Sequence, residues 1–355
     1  MDDAVRLLAH VAERSAVVSR AAAMPIHRLD SLPERLSRYP TPVGGLALGI
    51  ASLGLAWERV LPGTSIAEWA AGVAAILLLL MTLRFVLHPQ TLRLDLANPV
   101  VGAVAPTYAM GWMIVSISVR QLSPLLATLL WVAAVGIHVA FLAVWARHQA
   151  RSFALPRMVP SWFVPPVGII VAAVSYRGPD SGLLHTVAVV ALYFGMISYA
   201  MMLPVMFFRF IFAENVPLAA MPTLGILAAP ASLSLVGYLT LIDPPQPLVV
   251  IILEGVAVLM TAIVYVAFVR LLALPFSPAF AAYTFPMAIG ATAQFEVAAQ
   301  LDQWSTSQAL IDQVHALAVV ELWVATAVIA YVVLRFGAFA WQHWSDAHGA
   351  PEQDG

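Results

Sequence analysis

Apolar residues gather into ten long runs, at about 42–60, 66–87, 99–119, 124–146, 157–176, 184–212, 221–242, 247–270, 275–297 and 311–339. Short stretches holding Pro, Gly, Asp or Ser separate them. Each run approaches the roughly 20 residues that a helix needs to cross the hydrocarbon core of a bilayer. The pattern predicts an all-α integral membrane protein with ten transmembrane helices over residues 40–340, between cytoplasmic tails at 1–39 and 341–355. Within the first tail, Val5, Leu8, Val11 and Val18 fit one face of a short helix over Asp3–Arg20. That helix would lie on the membrane surface; a partly ordered tail is the alternative.

The runs alternate in character. Prolines open or interrupt the odd ones: Pro42; Pro99 and Pro106; Pro160, Pro165 and Pro166; Pro222 and Pro230; Pro278 and Pro286. The even runs hold one interior proline, Pro204. Glycines follow the prolines, with Gly44, Gly45, Gly49 and Gly54 in the first run, Gly102 and Gly111 in the third and Gly290 in the ninth. Pro42, Pro99, Pro160, Pro222 and Pro278 are spaced by 57, 61, 62 and 56 residues. Such a period marks one structural unit repeated, here five helical hairpins in parallel. Small residues also serve ordinary close packing between membrane helices. Their restriction to alternate runs predicts instead an inner ring of five bent odd helices around a pore, inside an outer ring of five even helices.

The ninth run is uncharged from Leu271 to Phe295 and carries Pro286 near its middle. Proline inside a helix removes a hydrogen bond and clashes with the preceding turn, so a bend is expected there. Phe285 stands directly before it.

Composition agrees with the membrane reading. The chain has 355 residues, 61% hydrophobic and 10% charged, against about 25% charged in soluble domains. There is no cysteine, which excludes disulfides, thiolate metal sites and thiol redox chemistry. All 17 basic residues are Arg. With the N-terminus in the cytoplasm, fourteen of them fall inside and only Arg59, Arg120 and Arg177 outside, so both termini are expected to be cytoplasmic.

The interiors of the odd runs carry essentially no ionisable side chain, whereas Glu68, His138, His185, Glu254, His315 and Glu321 all fall in even ones. No pair of histidines has metal-ligand spacing, and no nucleophile motif, phosphate loop or dinucleotide fingerprint occurs. The sequence therefore offers no metal site, no cofactor site and no enzyme. Glu321, near the middle of the last run, has three readings: a protonated carboxyl, a carboxylate paired with a neighbour such as His138, or a proton-coupling site. A structural hydrogen bond is the favoured one. Glu254 is expected nearer the outer face, solvated or capping.

At Tyr283-Thr284-Phe285-Pro286-Met287 the chain resembles the superfamily of the tellurite-resistance protein TehA and the plant slow anion channels, which includes C4-dicarboxylate and sulfite transporters. The first run, Pro40-Thr-Pro-Val-Gly-Gly45-Leu-Ala-Leu-Gly49 closing on Ala56-Trp57, is similar as well, as is Arg270-Leu-Leu-Ala-Leu-Pro275-Phe-Ser-Pro278. Gly44 departs from the aromatic that family members often carry there, so no second aromatic constriction is expected from the first run. The resemblance covers residues of about 40–340. It implies a pore lined by five inner helices and plugged by a phenylalanine at Phe285, in bacterial members that assemble as homotrimers of separate pores.

The expected function is an anion channel or channel-like exporter of the inner (plasma) membrane. It would pass small inorganic or carboxylate anions, embedded in lipid, with no nucleic-acid partner. Pro286, Gly290, Gly44, Gly45, Gly49, Pro106, Pro165, Pro166 and Pro230 would shape the pore. The alternative is a proton-coupled carrier for C4-dicarboxylates, sulfite or tellurite, with Glu321 and His138 as coupling residues.

Overall fold

The computed structural model describes residues 36–151, 153–213 and 215–348, with side chains described as far as Gln342. The helix expected over Asp3–Arg20 lies outside these residues, as does most of the expected tail at 341–355. Two compact units are distinguished, Met1–Arg38 and Tyr39–Gly355, and the membrane-crossing helices all belong to the second.

Every regular element among the described residues is helical. The α-helices are α1 (Val43–Glu58), α2 (Ile66–Leu87), α3 (Pro89–Ala97), α4 (Val101–Val104), α5 (Thr107–Leu122), α6 (Pro124–Arg151), α7 (Val164–Val167), α8 (Val171–Val174), α9 (Leu183–Phe212), α10 (Ala229–Leu241), α11 (Pro247–Leu271), α12 (Thr284–Gln303) and α13 (Gln308–His348). Tighter 3₁₀ turns occupy Pro160–Phe163, Gly168–Ile170, Leu218–Ala228 and Pro278–Tyr283.

Seven helical stretches are long and apolar enough to cross a membrane, where the runs led us to expect ten. The other three are odd segments. Val43–Glu58 has 16 residues and Pro160–Val174 is likewise short. The ninth segment's α12 carries Gln294, Glu296 and Gln300, which lower its hydropathy. Apolar runs in sequence do not separate a short or partly polar helix from a full lipid-facing span.

Burial divides the segments as their composition does. In Val101–Leu122 and Leu218–Leu241, 78% of the most apolar stretch is buried. In the five even helices the share is 28–39%. The even helices show Trp69, Val86, Leu248, Val266 and Val269 on their surfaces, as lipid contact requires. Each packs chiefly on two odd segments: α2 on α1 and α5, α6 on α5 and α7, α9 on α8 and α10, α11 on α10 and α12, and α13 on α12 and α1. Among the odd segments, α1 packs on α5, α5 on α8, α8 on α10, α10 on α12, and α12 on α1.

Polar ties fix the end of α2. The buried Arg84 guanidinium donates to Thr41 Oγ1 at 2.8 Å and to Asp95 Oδ2 at 2.7 Å. Thr41 Oγ1 in turn donates to the same Asp95 oxygen at 2.6 Å. The chain before α1, the end of α2 and α3 are thereby joined by one charge-assisted network.

Candidate functional site

The expected kink at Pro286 takes another form. Residues Pro278–Tyr283 are 3₁₀ and the α-helix begins at Thr284, so Pro286 is the third residue of α12. In the first turn of a helix the missing N–H has no intrahelical partner to lose. The chain therefore changes helix type at this point instead of breaking a continuous α-helix. The other odd segments place their prolines alike. Pro106 precedes α5, Pro165 and Pro166 lie in the first turn of α7, and Pro230 is the second residue of α10.

Close contacts hold this junction against α1. Thr284 Oγ1 lies 2.9 Å from Gly45 O and 2.8 Å from Ala281 O. A Cβ at Gly49 would collide with the Thr284 side chain and stand 3.0 Å from Phe285 N. A Cβ at Gly45 would meet Ala281 Cβ at 3.5 Å, and one at Gly44 would stand 2.9 Å from Thr107 Oγ1 and Tyr108 N of α5. These three glycines bring α1 close to its two odd neighbours.

The faces of α12 follow from its contacts. Gln294 donates to Glu254 Oε2 of α11 at 3.3 Å, and a Cβ at Gly290 would stand 2.9 Å from Glu321 Oε2 of α13. Phe285 is nine residues before Gln294, about 180° around the helix, and so faces away from α11. Its side chain is 6% exposed, and among the described residues no aromatic ring contacts it. Phe280 and Tyr283 behave differently. They pack on each other and on Phe276, Phe268 and Tyr331, toward α11 and α13, and Tyr283 Oη donates to Leu271 O at 3.2 Å.

From Phe285 the same face runs through Ile289, Thr292 and Glu296, at helical spacing. Phe285 and Ile289 are buried, while Thr292 and Glu296 are half-buried. The face thus opens toward the C-terminal end of α12. There Glu296 pairs with Arg59 from the end of α1. Arg177, just beyond α8, lies within electrostatic reach of Arg59, Glu296 and Arg120. The three arginines expected outside therefore share one neighbourhood.

A family comparison fits this geometry. The family described as voltage-dependent anion channel matches residues 41–336. The chain belongs to that family. The voltage-dependent anion channel family consists of membrane proteins that move anions, so this is a multi-pass membrane protein of anion transport and not a member of an enzyme family. Two proteins of Methanocaldococcus jannaschii, each called an uncharacterized transporter, are similar to it. One is 27% identical over 237 residues, covering 60% of this chain and 69% of the relative. The other is 26% identical over 235 residues, covering 60% and 67%.

In this family member the two expected coupling residues lie apart in their bonding. His138 is wholly buried in α6, its Nε2 2.9 Å from Pro165 O. Glu321 lies against Gly290 of α12, and no hydrogen bond joins it to His138. Glu254 is half-buried, so it is partly solvated, and it accepts a hydrogen bond from Gln294. Sequence reasoning overlooked Gln294, a buried amide on an odd helix; its type alone, a strong hydrogen-bonding group in an otherwise apolar run, was the available signal. Among the described residues no group of His, Cys, Asp and Glu is placed to hold a metal ion.

Proposed function

We propose that this chain is an anion channel or channel-like exporter, with a pore in each protomer closed by the Phe285 ring. The observation that carries the reading is the order of packing among the odd segments. From α1 it passes to α5, α8, α10 and α12 and back to α1, while each even helix covers two neighbours from the lipid side. Ten membrane segments arranged as five hairpins, the odd ones around a passage, account for that order. The face of α12 turned from the outer helices is then the pore face, and Phe285 is the large apolar side chain at its buried end. An apolar constriction stops ions by leaving water and charge without partners.

Anion preference comes from the arginines at one mouth, Arg59, Arg120 and Arg177, of which Arg59 is paired with Glu296 and Arg120 lies near Asp180. The described part of that face holds no cation at depth, so an anion is attracted but not captured. Pro286, Gly290, Gly44, Gly45, Gly49, Pro106, Pro165, Pro166 and Pro230 shape the passage from behind, by setting helix starts and close approaches. The positive charge bias supports cytoplasmic termini in an inner-membrane protein, and the family resemblance favours a homotrimer. One feature favours a proton-coupled carrier for C4-dicarboxylates, sulfite or tellurite instead: the buried carboxylate of Glu321. Liposome flux of chloride, nitrate, sulfite, malate and tellurite, with and without an imposed proton gradient, separates the two. The channel reading expects flux down the anion gradient alone; proton movement in fixed ratio to every anion carried contradicts it.

A further inference from the structure

Behind the pore face of α12, side chains from three helices meet. Glu321 of α13 is 3% exposed, with Oε2 against the backbone of Gly290. Thr261 Oγ1 of α11 would stand 3.8 Å from a Cβ built at the same glycine. One turn further along α12, Gln294 is 1% exposed and gives its Nε2 hydrogen to Glu254. Two buried acceptors here have no donor among the described residues: Glu321 Oε2 and Gln294 Oε1. Both belong to side chains more than nine-tenths buried.

Among the described residues no cation answers these acceptors. From α11, the titratable groups facing the cluster are Glu254 and Tyr265, both within electrostatic reach of Glu321. On α12, Glu296 is paired with Arg59. On α13 itself, His315 lies against the Phe295 ring and Arg335 is bonded to Tyr331 Oη. From α1, the polar contact to α13 is Trp57 Nε1 donating to Thr326, which is neutral. Neither Glu254 nor Glu321 forms an ion pair among the described residues. An ionised Glu321, 3% exposed and within electrostatic reach of the half-buried Glu254, with no counter-ion among the described residues, is strongly disfavoured. A hydrogen on Glu321 Oε2 turns one orphan acceptor into a donor. Two acceptors without a donor call for a cation, and a proton is the one that needs no further ligands.

We propose that Glu321, with Glu254 and its hydrogen-bond partner Gln294 nearby, forms a binding site for one proton on the side of α12 away from the pore. Gly290 is what lets the carboxyl reach the helix. Losing the proton puts negative charge against α12 at Gly290, five residues from Phe285, and repels anions there, so anion flux falls as the site empties at higher pH. That consequence rests on the pore reading given under Proposed function; the proton site itself does not.

Infrared difference spectra of the purified full chain in lipid, stepped in pH in H₂O and D₂O, test the site directly. A deuterium-sensitive carbonyl band of a protonated carboxyl should be present at neutral pH and vanish at alkaline pH. It should be missing in Glu321→Gln and displaced in Glu254→Gln, which serves as the second variant if the first does not assemble. No such band in the wild type, or a band unchanged in both variants, overturns the proposal. So does loss of the band on adding sodium at constant pH, since sodium would then be the occupant. The measurement involves no transport, so its failure is distinct from a failure of the channel reading, which the flux panel reports.

Discussion

Gly49 of α1 and Thr284 of α12 are packed so closely that any side chain at position 49 would overlap the threonine. The contact sits at the start of α12, one residue before Phe285, and the Thr284 hydroxyl reaches the Gly45 carbonyl beside it. The register of the Phe285 face of α12 is thus set by the close approach of the α1 backbone to the Thr284 side chain.

Gly49→Ala should therefore displace the first turn of α12. Overpacking of this kind costs about 1–3 kcal/mol, read as a lower midpoint of thermal unfolding in detergent, together with altered flux. Gly45→Ala should be milder, because its Cβ would make an ordinary 3.5 Å contact with Ala281. Equal midpoints for Gly49→Ala and wild type would show that the contact is loose.

A second prediction concerns the Arg84–Asp95–Thr41 network. Asp95→Ala leaves a buried guanidinium without its carboxylate. Breaking a fully buried pair costs ~3–5 kcal/mol; Asp95 retains 21% exposure, so a smaller loss is expected. Arg84→Met in the same background should recover part of it, since the unpaired charge is then gone. A double variant as unstable as Asp95→Ala would contradict this account.

How far the sequence revealed this arrangement depended on where each signal lay. The alternation of proline-rich and plain runs was legible, because proline and glycine mark backbone constraints wherever they fall. The change from 3₁₀ to α at Thr284 was not, since a proline in a first turn and a proline in mid-helix look alike in a string of residues. His138 was a reasonable partner for Glu321 by polarity, yet its hydrogen bond goes to Pro165 O. The meeting of Glu254, Gln294 and Glu321 joins positions 40 and 27 residues apart on three helices, and only their packing brings it about. The arginines were counted as outside residues from their place in the chain, but their gathering beside Glu296 is a property of the helix ends in space.

That gathering gives a third prediction. Arg120→Gln and Arg177→Gln should each lower anion flux at low ionic strength and have less effect at high salt, where exposed charges are screened. Arg59→Gln should lower it more, because it also leaves Glu296 unpaired on the pore face. Flux in all three variants that matched wild type at low salt would remove the arginines from the account of anion preference.

The central claim is that the Phe285 ring closes the passage, and the most direct measurement is anion flux into liposomes for Phe285→Ala against wild type. The alanine removes the apolar plug while Pro286 and the Thr284 contacts keep the start of α12 in place. Flux should rise strongly with little change in yield or oligomeric state, and Phe285→Leu should fall between. Phe280→Ala and Tyr283→Ala are the controls, since their rings pack toward α11 and α13. Those two should lower stability, by up to about 3–5 kcal/mol for a buried ring, without opening the path. Wild-type flux in a well-assembled Phe285→Ala protein would contradict the account and make the ring part of the packing alone.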